Sequence, residues 1–204
     1  MADADRRLRI TLASRNAHKV AELARMAPGI EWVALPAELG DPPETGETFL
    51  ANALEKARYA RAHVGGWCLA DDSGIEVDAL GGRPGVHSKR YSVEGTDAGN
   101  NARLLAELAG RSDRSARYRC VIVLVGDDDI VVEGACEGTI GLAPRGTGGF
   151  GYDPLFLPTS APGRTMAQLS GDEKDVISHR GVAMRRLVAV LRDRDAALGG
   201  GSDG

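Results

Sequence analysis

The sequence predicts an α/β fold built on a mixed sheet, and three observations carry that expectation. Apolar, β-rich runs alternate with segments of helical periodicity. The chain opens on a strand, a polar turn and a helix. Two β-rich runs past its middle are joined by four turn residues, and so short a connection makes that pair antiparallel. At 204 residues the chain can bury a core without staples, and its length suits one domain or two tightly joined lobes. There is no internal repeat or interdomain linker, so 1–204 reads as a single unit with its core over 8–195 and a disordered Gly-rich tail from Gly199.

Leu8 to Ala13 is the first strand, and Ser14-Arg15-Asn16 is a cap-like turn into a helix carrying Val20, Leu23, Ala24 and Met26 on one face. Free backbone N–H groups at such a start, with Lys19 one turn in, suit a phosphate; a capped helix with a solvated lysine is the plainer reading. Glu31 to Leu35 is a second strand. The loop Gly40 to Gly46 is broken by prolines and glycines and leads to a long helix from about Thr48 to His63. Its apolar positions are Leu50, Ala53, Leu54, Ala57 and Ala60, leaving Glu44 and Glu47 near its positive end and Lys56 in its middle.

Leu69-Ala70-Asp71-Asp72-Ser73-Gly74-Ile75 reads as a buried strand that delivers two carboxylates to a sheet edge, where the chain turns sharply. Neighbouring strand residues face opposite ways, so Asp71 and Asp72 should do different jobs. Metal and phosphate chemistry is one reading, and a turn whose side chains bond only local backbone is the other. Ile75 to Leu80 alternates like a half-exposed strand. Residues 81–91, rich in turn formers and donors, read as a mobile binding loop or as a long connection.

Asn100 to Ala109 is a helix, and Ala116 to Val125 and Ile130 to Gly138 are the strands joined by Gly126-Asp127-Asp128-Asp129. Three adjacent aspartates invite a metal, but a solvated hairpin turn accounts for them better. Gly146 to Pro154 follows, with four glycines in six residues that let backbone approach a ligand closely. Phe150 and Tyr152 offer flat faces there and Asp153 an acceptor, which suits a planar base, although neither a dinucleotide fingerprint nor a Walker loop is present. Thr165-Met166-Ala167-Gln168 is a capping-box pattern with Lys174 at the end of its helical piece. Ser178-His179-Arg180 opens the last helix, whose Val182, Leu187, Val190 and Leu191 face the core. His179 and Arg180 at its positive end suit anion or carbonyl-oxygen contacts.

The formal net charge of −4, with no long basic block, argues against a nucleic-acid polymer as partner while leaving room for a small anion. The amino terminus lacks an apolar signal core and the apolar runs are too short to cross a bilayer, so no membrane association and a cytoplasmic address are expected. Cys68, Cys120 and Cys136 lack zinc-type spacing and sit among apolar residues, as small core residues do. There are 21 Arg but only four Lys, namely Lys19, Lys56, Lys89 and Lys174. In such a chain a lysine marks a place that wants a compact point charge.

Taken together, Ser14 to Lys19, Glu44-Thr45-Gly46-Glu47-Thr48-Phe49, Ala70 to Gly74, Gly146 to Pro154 and Ser178 to Gly181 resemble, in order, the Ham1/RdgB family of inosine/xanthosine triphosphate pyrophosphatases. The resemblance covers nearly everything from Leu8 to about Leu191. It implies an elongated mixed central sheet with flanking helices that form two lobes around a cleft. It also implies a Mg²⁺-dependent homodimer that converts dITP, ITP or XTP to the monophosphate and pyrophosphate and so cleanses the nucleotide pool.

By the same resemblance Ser14, Arg15, Asn16, Ala17, His18 and Lys19 hold the triphosphate, and Lys56 faces it. Asp72 is the proton acceptor and, with Glu44, a metal ligand. Ser73 touches substrate, while Phe150, Gly151, Tyr152 and Asp153 receive base and sugar. Lys174 sits beside the base or phosphates, and His179 and Arg180 read the purine's carbonyl edge. One departure is Ser14-Arg15-Asn16 where the family often has Thr-Gly-Asn. The alternatives are a Maf-like pyrophosphatase with another base preference and a nucleotide-binding sensor without catalysis.

Overall fold

A computed structural model describes residues 7–14 and 17–199. The expected phosphate contacts Arg15 and Asn16 lie outside them, and of the tail expected to be disordered from Gly199, Gly199 ends the last helix while residues 200–204 lie outside the described residues. Six strands pair in the order β2-β1-β3-β4-β5-β6, with β1 Arg9–Leu12, β2 Glu31–Ala34, β3 Trp67–Val77, β4 Ser115–Val125, β5 Ile130–Ile140 and β6 Phe156–Pro158. The helices are α1 Ala17–Met26, α2 Phe49–Val64, α3 Asp97–Glu107, α4 Gly171–Ile177 and α5 His179–Gly199. Strand β1 runs parallel to both β2 and β3, whereas β5 and β6 are antiparallel, so the sheet is mixed as the hairpin implied.

Two compact units divide the chain. The first comprises Met1–Asp71, Val121–Val132 and Ala183–Gly204, and the second Asp72–Cys120 and Glu133–Val182. The first buries Ile10, Leu12, Leu69, Ile122 and Leu124 from its strands and Leu23, Ala53, Ala57, Met184 and Leu187 from its helices. The second has a cluster of its own that includes Ile75, Leu104, Tyr118, Ile140, Tyr152, Phe156 and Met166. Among the described residues no helix is long and apolar enough to cross a membrane.

Three segments gain detail that the sequence did not carry. No turn interrupts Asp71 to Gly74, because β3 runs through them for 11 residues. Strand β3 pairs with β1 over Trp67–Leu69 and has β4 as its other neighbour in the sheet, and its extended backbone prevails over the local turn preference of Asp, Ser and Gly. Residues 81–91, read as a mobile binding loop or a long connection, contain a 3₁₀ helix at Gly85–Arg90. Buried Ser88 accepts from Ile75 N at 2.9 Å and donates to Gly85 O at 2.6 Å. The buried stripe of α2 is Phe49, Asn52, Ala53, Lys56, Ala57 and Ala60, whereas Leu50 is exposed. Helical spacing is kept, but two polar residues lie on the inner face.

The hairpin aspartates pair with arginines from two helices of their own unit. Asp129 meets Arg58 at 3.4 Å, Asp127 meets Arg61 at 3.6 Å and Asp128 meets Arg194 at 3.8 Å. Exposed carboxylates with guanidinium partners suit a solvated turn.

Candidate active site

In the first unit the parallel register Leu12↔Leu69 brings the carboxyl end of β1 beside β3. Helix α1 starts a few residues beyond that end. Its Lys19 donates to Asp71 Oδ1 at 2.6 Å, across 52 residues of sequence. Asp71 is buried and Asp72 half-buried, as expected for neighbours on opposite faces of a strand.

The loop before α2 is tied down onto that helix. Thr48 caps it by accepting from Ala51 N, Gly46 N donates to Asn52 Oδ1 at 2.8 Å, and Thr45 N donates to Glu55 Oε2 at 2.8 Å. Gly46 is required by close approach, since a Cβ there would lie 2.6 Å from the Ala51 Cβ. These bonds fix Glu44, whose Oε1 accepts from Lys56 Nζ at 2.6 Å.

The second unit gathers the remaining predicted residues. Asp153 is 3% exposed and anchors the glycine-rich loop: its Oδ2 accepts from Phe150 N at 2.9 Å and from the Lys174 ammonium, and its Oδ1 accepts from the Tyr118 hydroxyl at 3.3 Å. A side chain at Gly149, where φ is +73°, would run into this carboxylate, its Cβ 2.0 Å from Oδ2. Lys174 Nζ also lies 4.4 Å from the centre of the Phe150 ring, a cation–π distance. Phe150 is 56% exposed and presents its face. Tyr152 does not: it is packed in the core with its hydroxyl on Ser88 O at 2.8 Å, and burial raises its pKa.

His179 and Arg180, the first residues of α5, are both buried. The His179 ring stacks on Tyr118 with centroids 4.7 Å apart and planes 8° apart, and Arg180 reaches Ser73 Oγ at 3.4 Å. Tyr118, whose pKa burial pushes well above its usual value, therefore braces both Asp153 and His179. One alternating position of a strand carries no functional signal, so nothing in the local pattern singles it out. Asn100 of α3 is a second unforeseen brace, accepting from Ser92 N at 2.7 Å and donating to Lys89 O at 3.1 Å.

The Ham1 family model matches residues 10–190. A dITP/XTP pyrophosphatase of Ralstonia nicotianae is 52% identical over 196 residues, covering 90% of this chain and 96% of its own. One of Nocardia farcinica is 49% identical over 201 residues, covering 91% and 97%. Among solved structures, a HAM1 protein from Coxiella burnetii superposes with a TM-score of 0.84 at 42% identity, covering 91% of this chain and 99% of that one. The Staphylococcus aureus Ham1 protein does so with a TM-score of 0.83 at 37% identity, over 91% and 99%. A lysine-held carboxylate in each of the two units, an exposed aromatic face and near full-length similarity agree: the chain belongs to the Ham1 family.

Proposed function

We propose that this chain hydrolyses noncanonical purine nucleoside triphosphates (dITP, ITP and XTP) to the monophosphate and pyrophosphate, cleansing the nucleotide pool as a Mg²⁺-dependent cytoplasmic homodimer. It is a hydrolase acting on an acid anhydride. The observation that carries this reading is that three of the four lysines are held on carboxylates at the predicted positions: Lys19 on Asp71, Lys56 on Glu44 and Lys174 on Asp153. Point charges oriented in this way suit a ligand with about four negative charges that must be gripped and screened. The exposed Phe150 ring supplies the flat face that a base requires.

Each residue has a role in this reading. Ser14, Arg15, Asn16, Ala17, His18 and Lys19 bind the triphosphate with backbone and side-chain donors. Asp72 takes the proton of a water attacking the α-phosphorus, and the bond to the leaving pyrophosphate breaks as Lys19 and Lys56 stabilise its charge. Ser73 contacts substrate. Phe150, Gly151 and Asp153 form the segment that receives base and sugar, with Phe150 stacking, while Tyr152, turned into the core, anchors that segment rather than touching the base. Lys174 lies beside them, and the donors of His179 and Arg180 meet the 6-oxygen of hypoxanthine or xanthine. An amino group at that position leaves donors facing donors.

Hard oxygens on Glu44 and Asp72 suit Mg²⁺, which is commonly held by one or two carboxylates together with substrate phosphates. When bound, the ion would screen the phosphates and polarise their oxygens.

The test is pyrophosphate release from dITP, ITP, XTP and dGTP, with orthophosphate measured separately. Pyrophosphate from the first three in strong preference to dGTP is expected. Orthophosphate instead, or no product from any of them, would sink the reading.

A further inference from the structure

We infer that Asp97 and Asn101 of α3 are positioning residues that clamp the glycine-rich loop at Gly151. This rests on the reading of Phe150 to Asp153 as the base-binding segment. The two residues are four apart on one helix, so they share a face. Both backbone groups of Gly151 are taken: its N–H donates to Asp97 Oδ2 at 2.6 Å and its carbonyl accepts from Asn101 Nδ2 at 2.8 Å. Turning the Asn101 amide over would set its oxygen against that carbonyl oxygen, so the bonding pattern fixes its orientation.

Packing does little of this work. A largely apolar cavity of about 460 Å³ lies between helix and loop, bordered by Ala98, Ala102, Leu105, Pro144, Phe150 and Pro154. On its other side the loop is tied by Gly148 N to Ala167 O at 3.0 Å and by the Asp153 carboxylate to Phe150 N. Gly151 is thus the outer tether of the segment that presents the Phe150 ring. Thr96 caps α3 through Gly99 N, and Asn100 and Leu104 are its buried residues, so the clamp rides on a helix anchored independently of it. Without the clamp the ring keeps its place in sequence but loses a fixed position, and binding of the base suffers before chemistry at phosphorus does.

Asp97→Ala, Asn101→Ala and Asp97→Asn, the last retaining an acceptor, test this by amide hydrogen exchange and by steady-state kinetics on dITP. Each alanine variant should exchange residues 148–152 about tenfold faster with α5 unchanged, and should raise KM about tenfold with kcat within about twofold, the scale of one charge-assisted hydrogen bond. Asp97→Asn should restore most of both. Unchanged exchange at 148–152, or faster exchange throughout the second unit, would overturn the clamp. Faster exchange with unchanged KM would overturn its role in base binding. If the wild type hydrolyses none of dITP, ITP and XTP, the functional reading fails, while the exchange data still decide the clamp.

Discussion

Lysine is used sparingly in this chain, and the partners of Lys19, Lys56 and Lys174 show what that economy serves. The pair Lys56–Glu44 is lopsided, its side chains 8% and 39% exposed. Deleting the glutamate leaves an ammonium where little water reaches, whereas deleting the lysine leaves a carboxylate that water can solvate. Glu44→Ala, which removes a hydrogen bond from a charged donor, should therefore destabilise the fold by about 2 kcal/mol. Lys56→Met, which keeps the apolar stem, should cost about 1 kcal/mol. Urea midpoints of the two variants measure this, and equal losses would refute the asymmetry. At Asp72 the expected effect is kinetic: Asp72→Asn should lower kcat by about 10²–10⁴-fold, the range of a general base, while substrate still binds. A variant with wild-type turnover would remove Asp72 from the mechanism.

Among the elements, α4 is a seven-residue helix that owes its start to a reciprocal capping box. Ser170 accepts from Glu173 N at 3.2 Å, and Glu173 accepts from Ser170 N at 2.8 Å. Arg164 bonds the same carboxylate at 2.8 Å. That bond first, and the Ser170 N–H next, pull the Glu173 pKa from 4.5 down to about 2. A carboxylate depressed on folding contributes stability that is present above the unfolded value and lost as pH falls toward the folded one. Glu173→Gln keeps an acceptor for the Ser170 N–H but has no charge to lose. Its Tm should fall less steeply than the wild type's between about pH 4.5 and 2, and parallel curves would show that the link to Arg164 contributes nothing. Neighbouring helices were recognisable by the same local logic. Thr48 caps α2, and Thr165 with Gln168 forms the capping box at Met166–Gln168, both within reach of sequence because a cap involves residues three apart.

For the whole molecule, the three cysteines report on core integrity. All are buried with no disulfide among the described residues, and burial raises the Cys68 thiol and lifts that of Cys136 to about 11. The native protein near pH 7.5 should therefore leave all three unmodified by a thiol reagent over minutes and release three equivalents on unfolding. Rapid native modification would contradict the core as described. Sequence by itself determined the alternation of strands and helices, the hairpin with its solvated aspartates, the caps and the positions of the sparse lysines. Periodicity, turn chemistry and capping are local and leave local marks. Only tertiary structure decided that β3 runs on through Asp71 to Gly74, that Lys56 and Asn52 lie on the buried stripe of α2, and that Tyr152 turns into the core. It alone supplied Asp71 for Lys19, 52 residues away, and Tyr118 for Asp153 and His179. Those outcomes depend on pairing, burial and ion pairing between distant segments, whose free energy comes from neighbours that the local sequence does not name.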